Sequence, residues 1–289
     1  MQGKYERGIY MFAVIKGAGD IASGIALRLK HAKFDIVMTD LKYPTAIRRT
    51  VCFSQAIVNG QMIVEDIVAE KAEDIEEIFS ILEKGRIAVI ADEKAECIKK
   101  LQPDIVIDAI LAKKNLGTTM TDAPVVIAVG PGFEAGVDCH AVVETQRGHS
   151  LGRVFLKGGA AENTGIPGNI GGYTVERIIR AVKNGIFHPV CDIGEIVEAG
   201  QTVAYVDEEP VRCSVGGVLR GILPDNTPVF EGMKSGDVDP RCKIEHCYSV
   251  SDKALAVGGG VLEACMALTA YAVYVPQSPE NKEESQWKI

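Results

Sequence analysis

The sequence has little that would carry it into a membrane or along a nucleic acid. Its longest apolar stretches, such as Ala123 to Val129, are strand-sized, well short of the ~20 residues that a spanning helix needs. No long basic run occurs and the formal net charge is −8 at pH 7. That balance argues against nucleic acid or an anionic membrane as the main partner. No secretory apolar region precedes Met11, and residues 1–10 read as a leader ahead of the first strand. The cysteines, Cys52, Cys97, Cys139, Cys191, Cys213, Cys242, Cys247 and Cys265, are scattered rather than spaced as a framework. Reduced thiols and a cytoplasmic setting are therefore expected. Zinc-finger spacing is also missing. Cys242, His246 and Cys247 form a C-x3-H-C cluster without a second pair to complete a tetrahedron, so no metal is expected. No Ser-His-Asp or Cys-His order stands out. What is left is an ordinary globular composition, and 289 residues can bury one large core or two modest ones.

Residues 12–40 carry the most specific local pattern. An apolar run, Phe12 to Ile15, leads into Gly17-Ala18-Gly19-Asp20-Ile21-Ala22-Ser23-Gly24. A helical apolar spacing follows, and a second run, Ile36-Val37-Met38, ends at Asp40. Strand, glycine turn, helix, strand and acid are the order of a dinucleotide-binding unit. Gly17 suits the tight turn, Gly19 lets a phosphate approach the backbone, and Ala22 permits close helix–strand packing. The helix start offers free N–H groups to an anion, and Asp40 stands where an acid accepts from a ribose hydroxyl. Gly17, Gly19, Asp20, Ser23, Gly24 and Asp40 are the candidate cofactor-binding residues. Asp20 departs from the ideal, because its carboxylate would repel a pyrophosphate. The competing reading makes Asp20 or Ser23 a helix cap. Arg48-Arg49 follows, as a contact for a 2′-phosphate or as an exposed face.

From Phe12 to Val137 short apolar strands alternate with helical segments, which favours a parallel sheet covered on both faces. Ligands of such sheets sit at strand carboxyl ends, here Gly17–Gly19, Asp40, Asp108 and Gly130-Pro131-Gly132. The expected fold class is α/β, a Rossmann-like sheet over residues 11–137. Residues 138–185 then connect through strands, polar turns and a helix over Tyr173–Lys183. Residues 186–250 form a β-rich unit with a weak repeat, Val197 to Asp207 recurring as Val229 to Asp239. Its lengths and turns resemble the biotinyl/lipoyl barrel-sandwich fold. The tip Asp207-Glu208-Glu209-Pro210 lacks the carrier lysine, and Lys234 lies elsewhere, so a scaffold rather than a swinging arm is expected. Residues 251–275 read as a helix returning to the first domain, with Gly258-Gly259-Gly260 marking a break or a close backbone contact. Residues 276–289 read as a disordered tail.

The candidates for chemistry are diffuse. Asp237 and Asp239, at i and i+2 beside Arg241, could hold a cation or polar groups on one strand face; turn chemistry is the alternative. Arg147 and His149 flank Gly148 and could contact an anion, or form a solvated turn. These five are weak catalytic candidates.

The motifs GAGDIASGIALRL, TDLKYPTAIRRTV, GPGFEAGVDCHAVVETQRGHSLGRV, NTGIPGNIGGYTVERI, VEAGQTVAYVD, GVLRG and KSGDVDPR cover nearly all of residues 11–270. Together they resemble the YqeB-type family of accessory proteins of selenium-dependent molybdenum hydroxylases. The resemblance implies a role in maturing a labile-selenium enzyme of the xanthine dehydrogenase type, and it assigns no catalytic residue. The expected function is thus a maturation factor that binds a nucleotide or a nucleotide-bearing molybdopterin at the glycine loop, with a hydroxylase or maturation partner and possible self-association. The alternatives are an NAD(P)-dependent oxidoreductase and a non-catalytic oligomeric scaffold.

Overall fold

A computed structural model describes residues 11–165 and 167–274. The leader and the tail from residue 276 lie outside the described residues. The chain begins with β1 (Phe12–Lys16), α1 (Asp20–His31) and β2 (Asp35–Asp40), then α2 (Gln55–Asn59), β3 (Gln61–Val64) and β4 (Ile67–Ala72). It continues through α3 (Ile75–Glu83), β5 (Ile87–Ala91), α4 (Cys97–Leu101), β6 (Ile105–Asp108), β7 (Val125–Val129), β8 (Ala141–Val143) and β9 (Val154–Phe155). These nine strands form one sheet in the order β3-β4-β5-β2-β1-β6-β7-β8-β9. Pairing is parallel from β4 to β8 and antiparallel at both edges.

The apolar strands are continuous because both faces are buried. Alternate residues point to opposite sides. Ala13 and Ile15 of β1 enter a core beneath α1 and the C-terminal helix, whereas Phe12 and Val14 enter a second core beneath α3 and α4. Each fully buried Ile or Val of this kind contributes about 1.5–3 kcal/mol.

The second part holds β10 (Ile178–Arg180), β11 (Gly185–Pro189), β12 (Ile196–Val197), β13 (Thr202–Val206), β14 (Glu209–Arg212), β15 (Gly217–Ile222), β16 (Thr227–Val229) and β17 (Lys234–Asp239). They make two four-stranded antiparallel sheets, β10-β17-β15-β12 and β14-β13-β11-β16, around Phe187, Val203, Leu219, Ile222 and Val238. The sequence repeat exchanges sheets. β12 and β17 lie in one sheet, whereas their repeat counterparts β16 and β13 lie in the other. The 23-residue helix α5 (Asp252–Tyr274) is the last element of the described residues and packs along α1. No helix among the described residues is long and apolar enough to cross a membrane.

The expected pairing of a Rossmann-like parallel sheet with a lipoyl-like barrel-sandwich is corrected by this architecture. The sheet is mixed rather than parallel. No helix connects β6 to β7 or β7 to β8, where a doubly wound fold carries its crossover helices, and α5 covers that region from the far end of the chain. Nor is the β-rich part a free-standing module. Ile222 N donates to Ile47 O at 2.8 Å, and a Cβ on Gly221 would lie 2.9 Å from the same carbonyl, so the loop after β2 rests on β15.

One local expectation also changes, and another is decided in favour of a close backbone contact. Tyr173–Lys183 is not a helix; Ile178 and Ile179 are buried in the β10–β17 pairing, while Val175 and Val182 face outward. The Gly258–Gly260 run does not break α5, which continues through it.

Candidate functional site

The glycine turn is built mainly by contacts within the chain. Gly17 holds φ +97°, and a Cβ there would lie 2.8 Å from Ala109 O, so only glycine fits. Gly17 N donates to Thr39 O at 2.8 Å. Ala18 N donates to Asp40 Oδ2 at 2.8 Å and Leu41 N to Asp40 Oδ1 at 2.7 Å. Asp40 is therefore occupied as the acceptor that fixes the turn. Burial raises its pKa, and the two N–H bonds hold the rise in check. Ser23 is buried, accepting from Phe53 N at 2.9 Å and donating to Ala18 O. Gly24 lies against Ala254 of α5, where a Cβ would sit 2.6 Å from the Ala254 Cβ. Ser23 and Gly24 thus serve packing, while Gly19 and Asp20 line an open cleft.

That cleft, of about 570 Å³, lies between the start of α1, the loop before α2, the turns after β6, β7 and β8, the segments at 161–164 and 167–170, and the ends of β10, β17 and α5. Glu144 shapes one wall. Its carboxylate accepts from Thr145 N and Gln146 N at 2.7 Å and from Ala161 N at 2.8 Å. Four arginines (Arg48, Arg147, Arg177, Arg220) and three lysines (Lys113, Lys234, Lys253) line the cleft, against three carboxylates, Asp20, Glu162 and Asp237. The cleft therefore has a cationic excess in a chain of net charge −8.

The arginines are held by carboxylates. Arg48 pairs with Asp20 at 2.9 Å and also donates to the carbonyls of His246 and Ser249 at 3.0 Å. Arg177 pairs with Asp237, and Arg220 lies 3.7 Å from Asp239. Arg147 forks onto Asp252 with two bonds of 2.7 Å. This pair holds the Asp252 carboxyl well below the usual carboxylate range. The lysines differ. Among the described residues neither the Lys234 nor the Lys253 ammonium group has a carboxylate within ion-pair distance. Desolvation by burial pushes both ammonium pKa values down; Asp237 opposes it at Lys234, while at Lys253 Arg147 and Lys234 deepen it and Asp20 opposes it.

The residues singled out from sequence scatter across this region. Arg147 and Asp237 line the cleft and His149 does not; it is exposed on the same turn. Asp239 is 1% exposed and lies behind the cleft, taking Arg241 Nε at 2.9 Å and Nη2 at 2.6 Å. Burial alone would raise its pKa, but the Arg241 guanidinium and backbone N–H hold it below the usual range. Cys242, His246 and Cys247 do not converge, and no group of three His, Cys, Asp or Glu among the described residues is placed to hold a metal ion. Arg48 is buried and paired, neither an exposed face nor an open phosphate contact. Lys113, Arg177, Arg220 and Lys253 had no short-range signal, because each comes from a different segment. Lys234 stood out only for its absence from a carrier tip.

No protein-family model matches the chain. It is 49% identical over 259 residues to the uncharacterized protein YqeB of Escherichia coli K12, covering 90% of this chain and 48% of that protein. The match supports the YqeB family. The chain spans about half the length of this relative. Similar solved structures include an aspartoacylase family protein from Mesorhizobium loti, with TM-score 0.27 and 14% identity over 80% of this chain and 86% of that one. A succinylglutamate desuccinylase/aspartoacylase from Rhodobacter sphaeroides has TM-score 0.24 and 12% identity over 80% and 85%. Similarity this low carries no argument about chemistry.

Proposed function

We propose that this YqeB-family chain is an accessory factor in the maturation of a selenium-dependent molybdenum hydroxylase. It holds a nucleotide or a nucleotide-bearing molybdopterin in the cleft beside Gly19 and Asp20. One observation carries the ligand half of the reading: seven cationic side chains face three carboxylates in the cleft of an acidic chain. Such a concentration of like charge favours an anionic guest by direct pairing and by focusing the field in a walled site. The volume, about 570 Å³, suits the roughly 300–1,000 Å³ of small-molecule sites. The maturation half rests on the motif resemblance alone, since the relative that the chain matches, about twice as long, is itself uncharacterized.

Calorimetry of the full chain against molybdopterin nucleotides, ATP, NADH and NADPH tests the ligand, and gel filtration with the apo-hydroxylase tests the partner. The expected result is tighter binding of a molybdopterin nucleotide than of the nicotinamide cofactors, with co-elution of chain and apo-enzyme. Null titrations together with separate elution would end the reading.

A further inference from the structure

Within the cleft the cations fall into two sets. The guanidinium groups of Arg48, Arg147 and Arg177 are committed to Asp20, Asp252 and Asp237, and Arg220 lies beside Asp239. Lys234, which opens β17, and Lys253, in the first turn of α5, line the same cavity with no carboxylate paired to either, and Lys113, on the turn after β6, joins them in this second set. Lys234 is exposed at the cleft and Lys253 half-buried; the two ammonium groups repel one another, and among the described residues each lacks a carboxylate within hydrogen-bond reach. The start of α1, by contrast, already has its own anion. Asp20 sits in the first turn, where the helix dipole favours negative charge, and Arg48 holds it. The turn's Gly17 and Ala18 N–H groups are also occupied, by Thr39 O and Asp40.

From this division we propose that the cleft grips a diphosphate group between Lys234 and Lys253, rather than on the amides of the glycine turn. The proposal rests on the anion-binding reading above and deepens it. Diphosphate fits because it supplies at least two negative charges and several acceptor oxygens to two flexible three-donor ammonium groups. A monocarboxylate would neutralise one lysine and leave the other unpaired. The paired arginines then act as a fixed frame that holds Asp20 and Asp237, two of the three carboxylates of the walls, away from the guest.

The probe is inorganic pyrophosphate, titrated calorimetrically into the full chain beside inorganic phosphate. Wild type is expected to bind pyrophosphate more tightly than phosphate. Lys234→Gln and Lys253→Gln should each weaken pyrophosphate binding about tenfold, as loss of one charge-assisted hydrogen bond implies. Lys157→Gln, on an exposed position outside the cleft, should leave it unchanged. Lys234→Arg and Lys253→Arg keep the charge and should retain most of the affinity, and an unchanged urea midpoint for each Gln variant excludes misfolding. Pyrophosphate binding that survives both Gln substitutions would overturn the lysine grip while leaving the anion site intact. Absence of binding of pyrophosphate and of every nucleotide by wild type would overturn both.

Discussion

Arg48 shows how one side chain can serve both a site and the fold behind it. It is 5% exposed and bonds to Asp20 at the start of α1 and to the carbonyls of His246 and Ser249, between β17 and α5. It therefore fastens the mixed sheet to the β-rich part while cancelling the one carboxylate that the glycine turn presents to the cleft. Removing one member of a buried pair is costly because the other charge is left behind. Asp20 is partly exposed, which tempers the loss. Arg48→Met should destabilise the chain by about 2–4 kcal/mol, read as a lower urea midpoint at unchanged slope. Arg48→Lys should recover only part, since an ammonium cannot fork to a carboxylate and two carbonyls in the same geometry. A midpoint equal to wild type for the Met variant would mean that water replaces the guanidinium without penalty.

The packing of α5 turns on which glycine of its run faces a neighbour. A Cβ on Gly258 would lie 2.7 Å from Gly24 O, and one on Gly260 would lie 2.1 Å from Gly152 O, while Gly259 has nothing within 4 Å. The same substitution should therefore change sign over two positions. Gly259→Ala gains helix propensity and should raise stability by about 0.5–1 kcal/mol. Gly260→Ala must push the turn at Gly152 away and should lose about 1–3 kcal/mol despite the same gain. Thermal melts of the two variants decide it; equal shifts would show that the helix slides to make room. The composition of this segment announced a close contact or a break without distinguishing them, because the partner residues lie more than 100 positions away. The apolar strands were legible for the opposite reason: burial on both faces leaves a continuous local run. Tyr173–Lys183 misled because its apolar residues fit a helical spacing, and the long-range pairing of β10 with β17 decided otherwise. The glycine turn was legible as a turn. Its strand–turn–helix–strand pattern did not reveal the edges of the sheet, the missing crossover helices or the engagement of Asp40 by the turn itself.

At the scale of the whole molecule the cleft was the least legible feature, since its cations come from segments between Arg48 and Lys253 and only folding collects them. The carboxylates that accompany them are distributed in the same way, and this makes the assembly sensitive to acid. Asp252, on α5, receives Arg147 from the turn after β8, and Asp239, on β17, receives Arg241 with Arg220 nearby. Both carboxyls titrate below their ordinary value in the folded chain. The folded state thus binds fewer protons than the unfolded chain near the ordinary Asp pKa of about 4, and stability falls as pH drops through it. The contribution is fully present at neutral pH and is lost progressively below about pH 5. Urea midpoints measured from pH 7 down to pH 3 should decline, and Asp252→Asn should decline less steeply over the same range while starting lower at pH 7. Its exposed carboxylate limits the size of the difference. Identical slopes for the variant and wild type would mean that the Arg147–Asp252 fork contributes nothing to holding α5 at the mouth of the cleft.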